Sequence, residues 1–118
     1  DERVELVDGM VVKMPMGSLE SAGVSATIAV LLGMHVRPRK LGRVYGANAG
    51  FVLFPDRETV LAPDAAVVRA GREPQGEARW HFAHVAPDLV VEVLSPFDYA
   101  HDMRAKVAMY QEAGVPLV

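Results

Sequence analysis

The chain has 118 residues, 51% of them apolar, no cysteine, and twelve Lys and Arg against fifteen Asp and Glu for a net charge of -3. That length supports one hydrophobic core of ordinary size without metal or disulfide staples. The lack of cysteine excludes disulfide frameworks, thiol nucleophiles and zinc-thiolate sites and suits a reducing, cytoplasmic setting, while the acidic balance excludes a protein that wraps nucleic acid by bulk positive charge.

A single domain over 1–118 is expected, trimmed at one or both ends, because the chain begins without Met and stops at Val118 in mid-pattern. Asp1, Glu2 and Arg3 do not open a signal peptide. The weakly polar stretch from Gly23 to Met34 is too short for a bilayer span and contains Ser25 and Thr27, so no membrane association is expected.

Val4 to Met14 reads as a β-hairpin, two β-prone runs around Asp8-Gly9, a dipeptide suited to positive φ. Pro15 to Ser18 breaks the pattern. From Leu19 to Val36, Val24, Ile28, Leu31 and Leu32 recur at helical spacing behind a Ser18 cap, which predicts a helix with one buried face. Arg43 to Tyr45 and Phe51 to Phe54 are short strand candidates around a Gly-rich link, and Val60 to Val68 is a strand region interrupted by Pro63. Arg69 to Gln75 is a polar loop.

Leu89 to Leu94 is the strongest strand signal, and its lack of alternation predicts burial on both faces. Tyr99 to Ala113 predicts a second amphipathic helix, capped by Asp98 and ended by Gly114 and Pro116, with Val115 to Val118 opening another strand. The order predicts a mixed α/β (α+β) domain with helices packed on a sheet.

Three residues stand out as chemistry. Glu92 is a carboxylate inside Leu-Val-Val-Glu-Val-Leu, where an unpaired buried charge costs several kcal/mol. A cation or a lysine would compensate it; the alternative is a solvated residue at a strand end. Asp64, after Pro63, shares a strand face with Ala66 and Val68, as Glu92 does with Val90 and Leu94, so neighbouring strands would aim both carboxylates at one point. The alternative is a turn-forming aspartate.

Lys106 lies roughly 55° from the centre of the stripe formed by Tyr99, Met103, Val107 and Tyr110, so its stem can follow the sheet toward the carboxylates. Pairing with Asp102 on the helix surface is the alternative. His35, His81, His84 and His101 carry no zinc-site spacing, and neither a serine-nucleophile elbow nor a P-loop is present.

Arg37, Arg39, Lys40 and Arg43 form a local basic patch that suits DNA phosphates, or a solvated loop closing the helix. Arg69, Arg72 and Arg79 form a more dilute cluster near Trp80 and Phe82, rings that would stack on a base or pack on the sheet.

The residues Pro63-Asp64, Pro87-Asp88-Leu89-Val90-Val91-Glu92-Val93-Leu94-Ser95-Pro96, Asp98, Lys106, Tyr110 and Ala113-Gly114-Val115-Pro116 resemble the Uma-two family of proposed restriction endonucleases, within the PD-(D/E)XK nuclease superfamily. The resemblance extends to Glu5-Leu6-Val7-Asp8-Gly9 and Asn48-Ala49-Gly50-Phe51, nearly the whole chain.

It implies a restriction-endonuclease-like fold, a central mixed sheet flanked by helices, and hydrolysis of DNA with Mg²⁺ or Mn²⁺. Asp64 and Glu92 are implied as metal ligands and Lys106 as the catalytic lysine, since Leu94 occupies the usual lysine position. Glu20 resembles an additional acidic metal ligand, although Ser21 stands where a histidine often follows it. A homodimer is expected because one small groove does not readily cut both strands. The rival readings are a non-cutting nucleic-acid-binding or regulatory protein of the same fold, and a metal-dependent hydrolase of a small phosphorylated substrate.

Overall fold

The computed structural model describes residues 3–14, 17–96 and 100–118. Asp98 and Tyr99, expected as helix cap and stripe residue, lie outside the described residues, as do Pro15 and the His101 side chain.

Strands β1 (Val4–Val7) and β2 (Met10–Lys13) form the expected antiparallel hairpin. Asp8 and Gly9 both have positive φ, 47° and 81°, the backbone of a tight turn whose twist matches its strands. Helix α1 (Leu19–Val36) starts at Ser18, whose Oγ accepts the Ser21 N–H at 3.0 Å while Ser21 Oγ accepts the Ser18 N–H. Ser21 therefore completes a reciprocal cap, a role that its short hydroxyl fills.

Next come β3 (Gly42–Tyr45), β4 (Phe51–Val52), β5 (Val60–Leu61) and β6 (Ala65–Arg69), a short 3-10 helix at Gly76–Trp80, then β7 (Leu89–Val91) and α2 (Ala100–Glu112). The strands form two antiparallel sheets, ordered β2-β1-β5-β4 and β3-β6-β7. Parallel pairing enters through the isolated bridges Phe51 to Ala83 and Leu89 to Leu117. The core lies where the sheets meet α2: Phe51, Leu53 and Leu61 pack with Ala66, Val68, Val90, Tyr110 and Val115.

Two expectations change. The strand buried on both faces is β6, whose Ala65, Ala66, Val67 and Val68 are all buried before the exposed Arg69, whereas β7 is short and fully buries only Val90. The β6–β7 ladder ends at Val91 because the Val93 N–H turns to the Asp64 carboxylate, at 2.7 Å.

Helix α1 does not bury a face as expected. Val36 alone is buried, Ile28 and Leu32 are half-buried, and Val24 and Leu31 are exposed. Apolar residues encircle this helix, and among the described elements it rests on β3 and β6 alone, a support too narrow to cover them. Its 18 residues and mean hydropathy of 1.4 are enough to cross a bilayer by length and composition alone, so the length argument applied to Gly23 to Met34 does not extend to the whole helix.

Helix α2 closes as its sequence demands. Gly114, at φ 88°, donates to the Gln111 carbonyl, and the Val115 N–H reaches back to the Tyr110 carbonyl at 3.0 Å. This paired return satisfies the last carbonyls and sets Val115 against Tyr110 in the core.

Candidate active site

Asp64 and Glu92 flank the end of the β6–β7 ladder. Ala65 pairs with Val91, so the register continued by one residue sets Asp64 opposite Glu92. Asp64 Oδ2 accepts the Val93 N–H, and its Oδ1 faces the Arg3 guanidinium at 3.6 Å. Arg3 is held in turn by a 2.9 Å hydrogen bond to the Ala62 carbonyl.

Lys106, on the flank of α2, points at the sheet with a side chain only 13% exposed. Its ammonium lies 3.0 Å from Glu92 Oε2 and 3.1 Å from Glu5 Oε1. Tyr110, one turn further along and fully buried, donates its hydroxyl to Glu92 Oε1 at 2.8 Å. Glu92 thus has one oxygen on a lysine and the other on a tyrosine, which compensates the charge that its sequence position makes costly.

Glu5 is the residue that sequence reasoning missed. It is buried on β1, with Oε2 accepting the Ala62 N–H at 2.8 Å and Oε1 on Lys106. The available signal was the one used for Glu92: a carboxylate in a β-prone run, on the same strand face as Val7, which packs against the core.

Burial pushes the Glu92 carboxyl above the usual glutamate value; Lys106 and Tyr110 oppose that rise, and the Asp64 charge adds to it. Burial works against the Lys106 ammonium, but Glu92 and Glu5 outweigh it and hold its pKa above the ordinary lysine value. Burial, then the Glu92 charge, drives the Tyr110 hydroxyl far upward, so it remains a neutral donor.

The other expected residues lie elsewhere. Glu20 is exposed in the first turn of α1, and no metal-holding group of three or more His, Asp or Glu forms among the described residues, so the expected Asp64, Glu92 and Glu20 ligand set is not assembled. The helix start is capped by two serines, and Glu20 stays exposed beside them.

Arg37, Arg39 and Lys40 are exposed in the turn closing α1, where Arg39 donates to the His35 carbonyl at 3.1 Å. Arg43 departs from them onto β3 and lies 5.5 Å from the centre of the Tyr45 ring. In the second cluster, Arg72 is committed to Asp88 at 2.6 Å, while Arg79 lies 5.7 Å from the Trp80 ring centre.

The Uma2 family model, described as "Putative restriction endonuclease", matches residues 1–118. The chain belongs to the Uma2 family. A similar solved structure is "a putative nuclease belonging to DUF820" from Anabaena variabilis, with a TM-score of 0.78 at 19% identity over 92% of this chain. At that identity the likeness concerns the fold, which is restriction-endonuclease-like. The Uma2 chain spans 60% of that neighbour's length. No curated protein matches its sequence.

Asp64 and Glu92 bring two carboxylates to neighbouring strand ends in this Uma2 member, oxygen donors of the kind a hard divalent cation takes. Arg3 stands beside Asp64, and Lys106 joins Glu92 to Glu5. Mg²⁺ characteristically takes one or two carboxylates and completes its shell with water and phosphate oxygens, so it needs no larger protein cage. Each carboxylate oxygen retains acceptor capacity beyond the bond it makes.

Proposed function

We propose that this chain is a divalent-metal-dependent nuclease that hydrolyses DNA phosphodiester bonds, with Asp64 and Glu92 holding the metal and Lys106 as the catalytic cation. One contact supports the reading most: Lys106 Nζ at 3.0 Å from Glu92 Oε2, a lysine brought by a separate helix to the carboxylate opposite Asp64.

A bound Mg²⁺ or Mn²⁺ would polarise the phosphate and lower the pKa of the attacking water. Lys106 has three donors, two of them directed to Glu92 and Glu5, which leaves the third for the water or a phosphate oxygen. Its raised pKa keeps it cationic, so it stabilises developing negative charge and does not abstract a proton. Tyr110 and Glu5 position the Glu92–Lys106 pair. The water oxygen bonds to phosphorus as the bond to O3′ breaks. The water's proton passes to solvent and the leaving oxygen takes one, giving 5′-phosphate and 3′-hydroxyl ends.

Nicking of supercoiled plasmid in Mg²⁺ or Mn²⁺ tests this. Wild type should nick, and Asp64→Ala and Glu92→Gln should not; absence of nicking by wild type with either metal overturns the proposal. Cutting of both duplex strands would need two such centres, so the working unit is proposed as a homodimer, and a monomer sedimenting with cleavable DNA would remove that part.

A further inference from the structure

Trp80 and Phe82 are 75% and 59% exposed, and neither belongs to the core. Exposed rings outside the core mark a binding surface when they group with complementary chemistry. Here they line a cavity of about 660 Å³ with Arg43, Tyr45, Asn48 and Arg79. That volume lies within the roughly 300–1,000 Å³ typical of ligand sites. Both arginines rest on aromatic rings, Arg43 on Tyr45 and Arg79 on Trp80.

A second cavity adjoins this one on the side of Arg3 and Glu5. With a volume of about 300 Å³, it shares Asn48, Gly50 and Phe82 with the first and is also lined by Arg3 and Glu5. Arg3 faces Asp64, and Glu5 holds Lys106.

Phe82 is held firmly for an exposed residue. The next residue, Ala83, donates to the Gly50 carbonyl at 2.9 Å and accepts the Val52 N–H at 2.8 Å. A Cβ at Gly50 would stand 2.7 Å from Phe82 Cδ1 and 3.1 Å from Val60 Cγ1, so the ring position depends on the missing side chain. A ring fixed in this way offers a flat face with little ordering cost on binding.

We propose that this cavity binds the unpaired bases of single-stranded DNA, stacking them on Trp80 and Phe82 and leading the strand to Asp64 and Glu92. The proposal deepens the nuclease reading and rests on it for the direction of the strand. Bases in a duplex are stacked on one another, and everting one costs a few kcal/mol. Base–aromatic stacking contributes about 1–3 kcal/mol per base and is available at once to an unpaired strand. Arg43 and Arg79 add two phosphate contacts, which suits a net-acidic chain that takes most of its affinity from stacking.

Trp80 is the only tryptophan, so its fluorescence reports the site directly. In EDTA, where no cleavage occurs, a short oligothymidylate should quench it, and a blunt duplex should bind more weakly. Trp80→Ala should weaken binding of a labelled oligothymidylate by roughly 5- to 150-fold, the equivalent of one lost stacked base. Gly50→Ala, which displaces Phe82, should weaken it as well. With two phosphate contacts, log K should fall against log salt with a slope of about -1.4.

Unchanged affinity in Trp80→Ala, no quenching by the oligonucleotide, or tighter binding of duplex overturns this inference. Because the measurement needs no metal, oligonucleotide binding without any nicking would remove the nuclease reading alone. Nicking by wild type without Trp80 quenching would remove the stacking site alone.

Discussion

Lys106 Nζ and Glu5 Oε1 lie 3.1 Å apart, joining the N-terminal hairpin to the last helix through a contact that both residues bury. The same ammonium meets Glu92, so one cation neutralises a carboxylate on β1 and another just beyond the end of β7.

Replacing Lys106 with Met therefore leaves two buried carboxylates without their cation. Stability at pH 7 should fall by about 3–5 kcal/mol, as when one partner of a buried pair is removed. Urea denaturation checks this, and the deficit should shrink on acidification as the carboxylates take up protons. A loss confined to below 1 kcal/mol would mean that the pair is solvated.

Tyr110→Phe removes the hydroxyl that meets Glu92 and little else. A loss of about 1.5–3 kcal/mol is expected, the scale of a hydrogen bond to a charged group. The Glu92 carboxyl should move further upward, since the hydroxyl now opposes the effect of burial. Thermal melts of wild type and variant, with carboxyl titration by NMR, test both outcomes.

Metal binding should weaken on acidification sooner than an ordinary glutamate would allow. Burial raises the Glu92 pKa, so a proton competes with Mn²⁺ at pH values above the usual 4.5. Calorimetric Mn²⁺ titrations from pH 4.5 to 7.5 should show affinity rising with pH through that range, and a flat profile would contradict the assignment of Glu92 as a ligand.

The stability linkage has matching signs. A folded carboxyl with a raised pKa contributes stability fully present below the unfolded value, 4.5 for Glu92, and lost as pH rises through the folded value. For Lys106 the contribution is fully present below 10.5 and lost as pH rises through the higher folded value. The Lys106 contribution should thus hold through neutral pH and disappear above pH 10.5, which alkaline melts of wild type and Lys106→Met would resolve.

Arg3→Ala should strengthen Mn²⁺ binding by a few-fold. Its guanidinium stands 3.6 Å from Asp64 and opposes a second cation there, but it is 39% exposed, so the effect stays near the roughly 0.2–1 kcal/mol of solvent-screened pairs. Weaker Mn²⁺ binding in the variant would show that Arg3 orients Asp64 for the metal.

The sequence by itself determined what local chemistry controls. Asp8-Gly9 specified the hairpin through positive φ, Ser18 the start of α1, and Gly114 with Pro116 the end of α2, because each acts within a few residues of itself. Glu92 was conspicuous because a charge inside an apolar run needs a partner wherever that run folds. Tertiary structure alone decided the identity of the partners. Glu5 joined Lys106 because β1 pairs with β5 across a large sequence separation, which selects the face of the hairpin that is buried. Glu20 stayed outside, and α1 kept most of its apolar surface exposed, because the neighbours of a helix are set by sheet width and register and not by its own periodicity. The cavity around Trp80 and Phe82 has the same origin: a parallel bridge from Phe51 to Ala83 that no local pattern announces holds the two rings beside Arg43.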